Sequence, residues 1–353
     1  MPVSTLNPPA EQPPYVDLYT RNGFAGPSAM IVRAQYTPPY SRVKGTYAPY
    51  RFDVDDLPSA QTDDGHLAVP ILEGDGVSVE LATRTTSYAA AVRNVLADEL
   101  HYVIEGQARL DTDFGHLLLR PGDFVLIPRA VTYRYAEVGS ILREVVVVTE
   151  SQLAVEPEHA PGVLNVDRDV DVPIADPAND RGPGEYEVVI RHGQETTSYF
   201  YDYDPLPAVA TAGSPIVRRF NFADVHSLGV DQGGLMPPRI INDPTTRTLL
   251  FNLSNRRSDR PPVHHNADYD EVIFYVAGPG RYGAIDKPGT ITWTPKGIIH
   301  QGPEEDVPDG YKAWLLETRS ALRLTDAGRE IGRLMETGQF DLQPEPSPGT
   351  SHG

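Results

Sequence analysis

Short apolar runs, each closed by Gly, Pro or Asp turns, recur along the whole chain and predict strands. They include His101–Ile104, Leu117–Leu119, Phe124–Ile127, Leu142–Val148, Tyr186–Ile190, Leu249–Leu253, Val272–Val276, Thr290–Thr294 and Ala313–Glu317. Runs rich in Val, Ile, Leu and Tyr at this cadence predict an antiparallel all-β sandwich or barrel. One helix is expected, from about Thr325 to Glu336, where Ile331, Leu334 and Met335 fall at helical spacing behind an Asp-containing turn. With 34 Pro and 30 Gly spread over 353 residues, long helices cannot dominate.

The same punctuation divides the chain. Residues 1–35 read as an irregular Pro-rich arm and 341–353 as a disordered tail. Pro, Asp and Gly cluster within 156–184, which predicts a linker between a first β barrel at 36–155 and a second at 185–340. The length suits two domains with sizeable cores.

Composition narrows the chemistry. A net charge of −19 argues against nucleic acid or an anionic membrane surface as partner. The chain has no Cys, so thiol catalysis, disulfides and thiolate metal sites are excluded, and any metal must be held by His, carboxylate and water. The first residues lack the basic start and apolar stretch of a signal peptide, and no run approaches the roughly 18–20 apolar residues of a membrane span. A soluble, cytoplasmic protein is expected.

Two segments repeat each other in outline. In the first, Asp98-Glu99 is followed by Gly106, then Pro121-Gly122, Pro128 and Tyr133. In the second, Asp270-Glu271 is followed by Gly278, then Pro288-Gly289, Pro295 and His300. Seven residues before each Glu stand Val92 in the first copy and His264 in the second. Two imidazoles and one carboxylate on one face form a ligand set with open positions, suited to Fe(II). His264, Glu271 and His300 supply that set, with the adjacent His265 as rival to His264. Residues seven apart do not share a face of one strand, so a turn or bulge is expected between His264 and Glu271. The first copy keeps only Glu99, without ligand partners, and is expected to hold no metal. His66, His101, His116, His159, His192 and His226 show no paired spacing and read as structural or surface residues.

The pattern His264-x-Asn266-x4-Glu271-x6-Gly278 followed by Pro288-Gly289…Pro295-x4-His300 resembles the two motifs of the cupin superfamily. With DELHYVIEGQARLDTDFGHLLLRPGDFVLIPRAVTYR in the first copy, it is similar to the homogentisate 1,2-dioxygenase family over about residues 30–335. The resemblance implies a bicupin of two jelly-roll barrels, the N-terminal one degenerate, and ring cleavage of a dihydroxylated aromatic by Fe(II) and O2. It assigns His264, Glu271 and His300 to iron and implies a homo-oligomer. The segment Pro205–Pro215 lacks the histidine that family members carry there, and Thr294 replaces a second one. A different phenol, catechol or hydroxylated aromatic acid is therefore favoured over homogentisate.

Asn266, Tyr275 and Thr294 are candidate contacts to substrate or oxygen, and Gln301 a candidate to orient a ligand. Arg256, Arg257 and Arg260 precede the metal loop and read as a solvated loop rather than a carboxylate clamp. Gly278-Pro-Gly280 reads as a turn. Two other readings remain open: a cupin isomerase, hydrolase or decarboxylase using another divalent metal, and a non-catalytic small-molecule-binding bicupin.

Overall fold

A computed structural model describes residues 15–23, 26–57, 67–155, 164–214, 216–226, 237–253, 262–277, 288–302 and 312–335. The regular structure of the described residues is almost entirely β-strand, joined in three sheets of twelve, seven and three strands. The architecture is all-β. Among the described residues only two short α-helices accompany the strands, Val166–Asp169 and Asp326–Ile331. The second starts at the expected Thr325 N-cap, whose hydroxyl accepts from Gly328 N. It stops at Gly332 rather than running on to Glu336, because Arg333–Leu334 leaves the helix to pair with Tyr50–Asp53. Glu336 and the expected tail at 341–353 lie outside the described residues.

The two halves pack through one aromatic core. Tyr102 and Phe124 from the first half meet Phe274 and Trp314 from the second, with ring centroids 5.1–5.8 Å apart. Asp270–Ala277 shows how alternation serves this arrangement. Val272 and Phe274 belong to that shared core, whereas Tyr275 belongs to a separate cluster with Leu249, Phe251 and Leu315 inside the second half. A strand buried on both faces shows no polar face in its sequence.

The expected arm at 1–35 is not irregular over its described part. Tyr15–Thr20 and Ser28–Arg33 form an antiparallel hairpin, and its first strand lies parallel to His264–Asn266 in the second half. Tyr50–Asp53 then joins the second sheet beside Thr290–Thr294. The same exchange occurs in the opposite sense. The hairpin of Tyr186–His192 and Glu195–Tyr201 lies parallel to Ala91–Asn94, and Arg218–Asn221 joins Asp123–Ile127 in the first sheet. Each half of the sequence thus begins with a hairpin and a strand that pair with strands of the other half. Sheet membership therefore cuts across the sequence boundaries expected at 155 and 185. An apolar segment can satisfy its edge hydrogen bonds on a distant sheet as well as on a near one, so sequence order alone does not fix where it docks.

Candidate metal centre

The ligand strand His264–Asn266 is only three residues long and is held on both edges. Leu18 N donates to Val263 O and Ala267 N to Thr20 O on the hairpin side. On the other side His264 and His300 exchange paired backbone hydrogen bonds, each 2.9 Å. The chain then turns: Asn266 Oδ1 accepts from Asp268 N and Tyr269 N, which sends Asp270–Ala277 off as a new strand. That is the turn the seven-residue spacing demands. Asp270, fully buried, fastens the second motif to it by accepting from Lys296 N, Leu322 N and Trp293 Nε1.

These constraints bring His264, Glu271 and His300 together, with one donor atom of each mutually within 4.8 Å. No other such group of three occurs among the described residues. His300 Nε2 lies 3.4 Å from Glu271 Oε2, and His264 Nε2 lies 4.0 Å from Oε1. The rings stand 4.2 Å apart. Each imidazole donates its Nδ1–H to a main-chain carbonyl, His264 to Pro262 O and His300 to Ile298 O. That bond fixes the tautomer and leaves each Nε2 lone pair for a cation. Burial and the neighbouring His300 lower the His264 pKa to about 4, keeping it neutral. Burial alone would raise the Glu271 pKa, but the charge and hydrogen bond of His300 outweigh it, and Glu271 stays ionised. Glu271 in turn raises the His300 pKa against the effect of burial. Two nitrogen donors and one carboxylate, preoriented and partly dehydrated, fit a divalent cation of the Fe, Mn or Zn type.

His265 is turned to the opposite face. Its Nδ1 meets Asp17 Oδ1 at 2.9 Å, and Asp17 Oδ2 also accepts from Arg33 Nε and Nη2. Asp17 is completely buried, so this ion group locks the hairpin to the ligand strand. Replacing Asp17 with Ala should weaken metal binding by roughly 10-fold while His264, Glu271 and His300 remain. A competitive chelator titration measures this; unchanged affinity in a folded Asp17→Ala protein would show the clamp to be dispensable.

Of the other sequence candidates, Thr294 pairs in register with Glu271 and is buried beside it. Asn266 donates to Glu317 Oε1 at 3.3 Å and lies 3.5 Å from Glu271 Oε1. Tyr275 shares the Glu271 face but sits four residues further along the strand, inside the apolar cluster. Gln301 accepts from the Tyr36 hydroxyl, and main-chain carbonyls rather than Gln301 orient the two imidazoles. Arg256, Arg257, Arg260 and the Gly278–Gly280 turn lie outside the described residues.

Glu317 was not apparent from the sequence. It pairs with Glu271 from the neighbouring strand, at the position where the first half pairs Val148 with Glu99. Burial and then the Glu271 charge raise its pKa well above the carboxylate range, so it is a neutral acid. Gly23, at φ +56°, passes over it so closely that a Cβ would come within 2.5 Å of Oε2. Extending the Glu99 and Glu271 alignment to the strands that pair with them would have exposed this Val-to-Glu difference.

In the corresponding place of the first half Glu99, without a second imidazole ligand, is held by protein partners instead. Asn94 Nδ2 donates to Glu99 Oε1, Tyr133 OH donates to Oε2 at 2.7 Å, and His101 Nε2 lies 3.2 Å from Oε2. His101 Nδ1 lies 3.5 Å from Glu144, which is also paired with Arg84, while Arg191 pairs with Glu80 and Glu99. Three carboxylates, two guanidiniums and one imidazole form a buried network. His101 is thus a central member of that network, although its spacing in the sequence gave no sign of it.

Residues 68–221 match the family described as Homogentisate 1,2-dioxygenase N-terminal. That span closely follows the first sheet, which runs from Val69 to Asn221 apart from the short strand Arg323–Leu324. A protein of Saccharolobus solfataricus named "Putative dioxygenase" is 26% identical over 268 residues, covering 68% of this chain and 67% of that one. Homogentisate 1,2-dioxygenase of Emericella nidulans is 27% identical over 190 residues, covering 49% of this chain and 42% of the fungal enzyme. Among solved structures, a cupin 2 conserved barrel domain protein from Leptotrichia buccalis aligns with a TM-score of 0.46 at 12% identity, over 80% of this chain and 98% of that one. Among the described residues no helix is long and apolar enough to cross a membrane.

Proposed function

We propose that this chain, a homogentisate 1,2-dioxygenase-like cupin, is an Fe(II)-dependent dioxygenase that cleaves the ring of a hydroxylated aromatic compound with O2. The observation that carries the reading is the His264–Glu271–His300 triad, its imidazoles oriented by main-chain carbonyls and its donors gathered on one side. The similarity to proteins named as dioxygenases supports the reaction class.

Ferrous iron, when bound, supplies adjacent open positions for substrate and dioxygen and lowers the pKa of a coordinated hydroxyl. The protein's part is positioning and charge. His264 and His300 present Nε2 lone pairs, and Glu271 balances the cation. Asn266 and Thr294 flank Glu271 with polar groups able to hydrogen-bond oxygen atoms of the reactants. Glu317 holds a proton beside Glu271 in a dry environment. The substrate favoured is a catechol, phenol or hydroxylated aromatic acid other than homogentisate.

The test combines elemental analysis with oxygen uptake by ferrous-loaded protein on a panel of catechols, hydroquinones and hydroxylated aromatic acids. One iron per chain and uptake with at least one aromatic are expected. A stoichiometric metal other than iron with no uptake on any aromatic would favour the non-oxidative cupin enzymes. Failure to bind any divalent metal would favour a ligand-binding bicupin.

A further inference from the structure

The hairpin that completes the first half ends in an unusual edge. Glu195–Tyr201 pairs only with Tyr186–His192, and its outer side has no strand among the described residues. Six of its seven residues are exposed and the seventh half-buried, so both faces as well as the edge meet solvent. Tyr199 and Phe200 are 53% and 62% exposed, and Tyr203 beyond the strand is 57% exposed. In a ladder, alternate residues point N–H and C=O away from their partner, so this strand offers an unpaired hydrogen-bonding row. Soluble proteins blunt such edges with lysine, proline, a bulge or a cover. Here the sequence ETTSYFY contains neither lysine nor proline, and its one charge, Glu195, stands at the end of the strand.

We propose that Glu195–Tyr201 is a dimerisation edge that pairs antiparallel with the same strand of a second copy. Self-pairing about a two-fold axis at Ser198 sets Thr197 against Tyr199 and Thr196 against Phe200. These aromatic–β-branched pairs stabilise sheets. The same register sets Glu195, the strand's one charge, against Tyr201, so no like charges meet. That matters in a chain of net charge −19, whose copies carry like net charge. The contact is isologous and closes, as most homo-oligomeric interfaces do. Because Tyr186–His192 also pairs with Ala91–Asn94, one sheet would run through both copies.

The absence of cysteine makes the register directly testable. Ser198→Cys places one thiol per chain at the axis. Opposed residues in an antiparallel pair stand about 4.5–5.5 Å apart between Cα atoms, within the roughly 4.4–6.8 Å that a disulfide spans. Mild oxidation should convert most Ser198→Cys protein to a covalent dimer, whereas Val209→Cys, at an 85% exposed position, should not. Light scattering should give at least a dimer for the wild type and half that mass or less for Thr197→Lys/Tyr199→Lys, with circular dichroism unchanged. A monomeric wild type overturns the proposal. So does an oligomer that survives the double substitution, or one in which Ser198→Cys cross-links no better than Val209→Cys, since another surface would then hold the copies together.

Discussion

Replacing either His264 or His300 with alanine should abolish stoichiometric metal binding while leaving the fold intact. Each removes one of three protein donors, so the loss should exceed the roughly 10–100-fold that follows removal of a supporting hydrogen bond. Glu271 would remain buried beside a single imidazole, too few ligands for a divalent cation. His265→Ala should lower affinity far less, because His265 faces Asp17 on the other side of the strand. Metal content after dialysis against a weak chelator separates the three variants. Stoichiometric metal in His264→Ala, with depletion in His265→Ala, would reverse the assignment within the pair. Circular dichroism guards against loss of fold, since the ligand strand keeps its backbone bonds to Tyr15–Thr20 and to residue 300.

His101→Ala should be among the most destabilising substitutions in the first half, at about 3–5 kcal/mol, the cost of leaving buried charge unpaired. The imidazole lies between Glu99 and Glu144, and all three are almost inaccessible. Burial would lower the His101 pKa, but hydrogen bonds and charge from Glu144 and Glu99 outweigh it and raise the value to about 9. Burial would raise both glutamates, but His101, helped by Arg191 at Glu99 and by Arg84 at Glu144, draws each down to about 2.

The pH dependence follows from these directions. A raised histidine stabilises the fold fully below its unfolded pKa of about 6.5 and ceases to do so as pH rises through about 9. Depressed glutamates stabilise it above about 4.5 and cease to do so as pH falls toward 2. The network should therefore contribute most between about pH 4.5 and 6.5. Urea unfolding at pH 5.5 and 9.5 checks it: wild type should lose stability at the higher pH, and His101→Leu should show a smaller loss. Equal losses in both proteins would place the alkaline sensitivity elsewhere.

The two halves make a common frame serve different chemistry. Asn94 and Asn266 cap equivalent turns, each accepting two backbone N–H groups through Oδ1. Asp98 and Asp270 likewise each bind the backbone of the next motif. On this shared frame the second half carries two imidazoles at Glu271. The first half carries Tyr133 and His101 at Glu99, with Arg191 delivered by an exchanged hairpin. Protein groups there satisfy a carboxylate whose counterpart in the second half, Glu271, is a candidate metal ligand.

The sequence by itself determined the β class, the repeat, the absence of thiol chemistry and the residue types of the candidate centre. These are local properties: apolar runs, turn residues, and a His or Glu at a fixed offset from Gly and Pro. Tertiary structure alone decided which member of His264-His265 joins Glu271. The choice depends on the ligand strand's parallel register with Tyr15–Thr20, set by contacts such as Asp17 to His265, 248 residues apart. Tertiary structure also decided that the described part of the Pro-rich arm pairs with the His264–Asn266 strand, that Glu99 is enclosed by a charge network, and that Glu317 stands beside Glu271. Each depends on which distant strand closes a given edge. Period-two alternation fixes the face a residue shares with its neighbours but is silent about the partner across it.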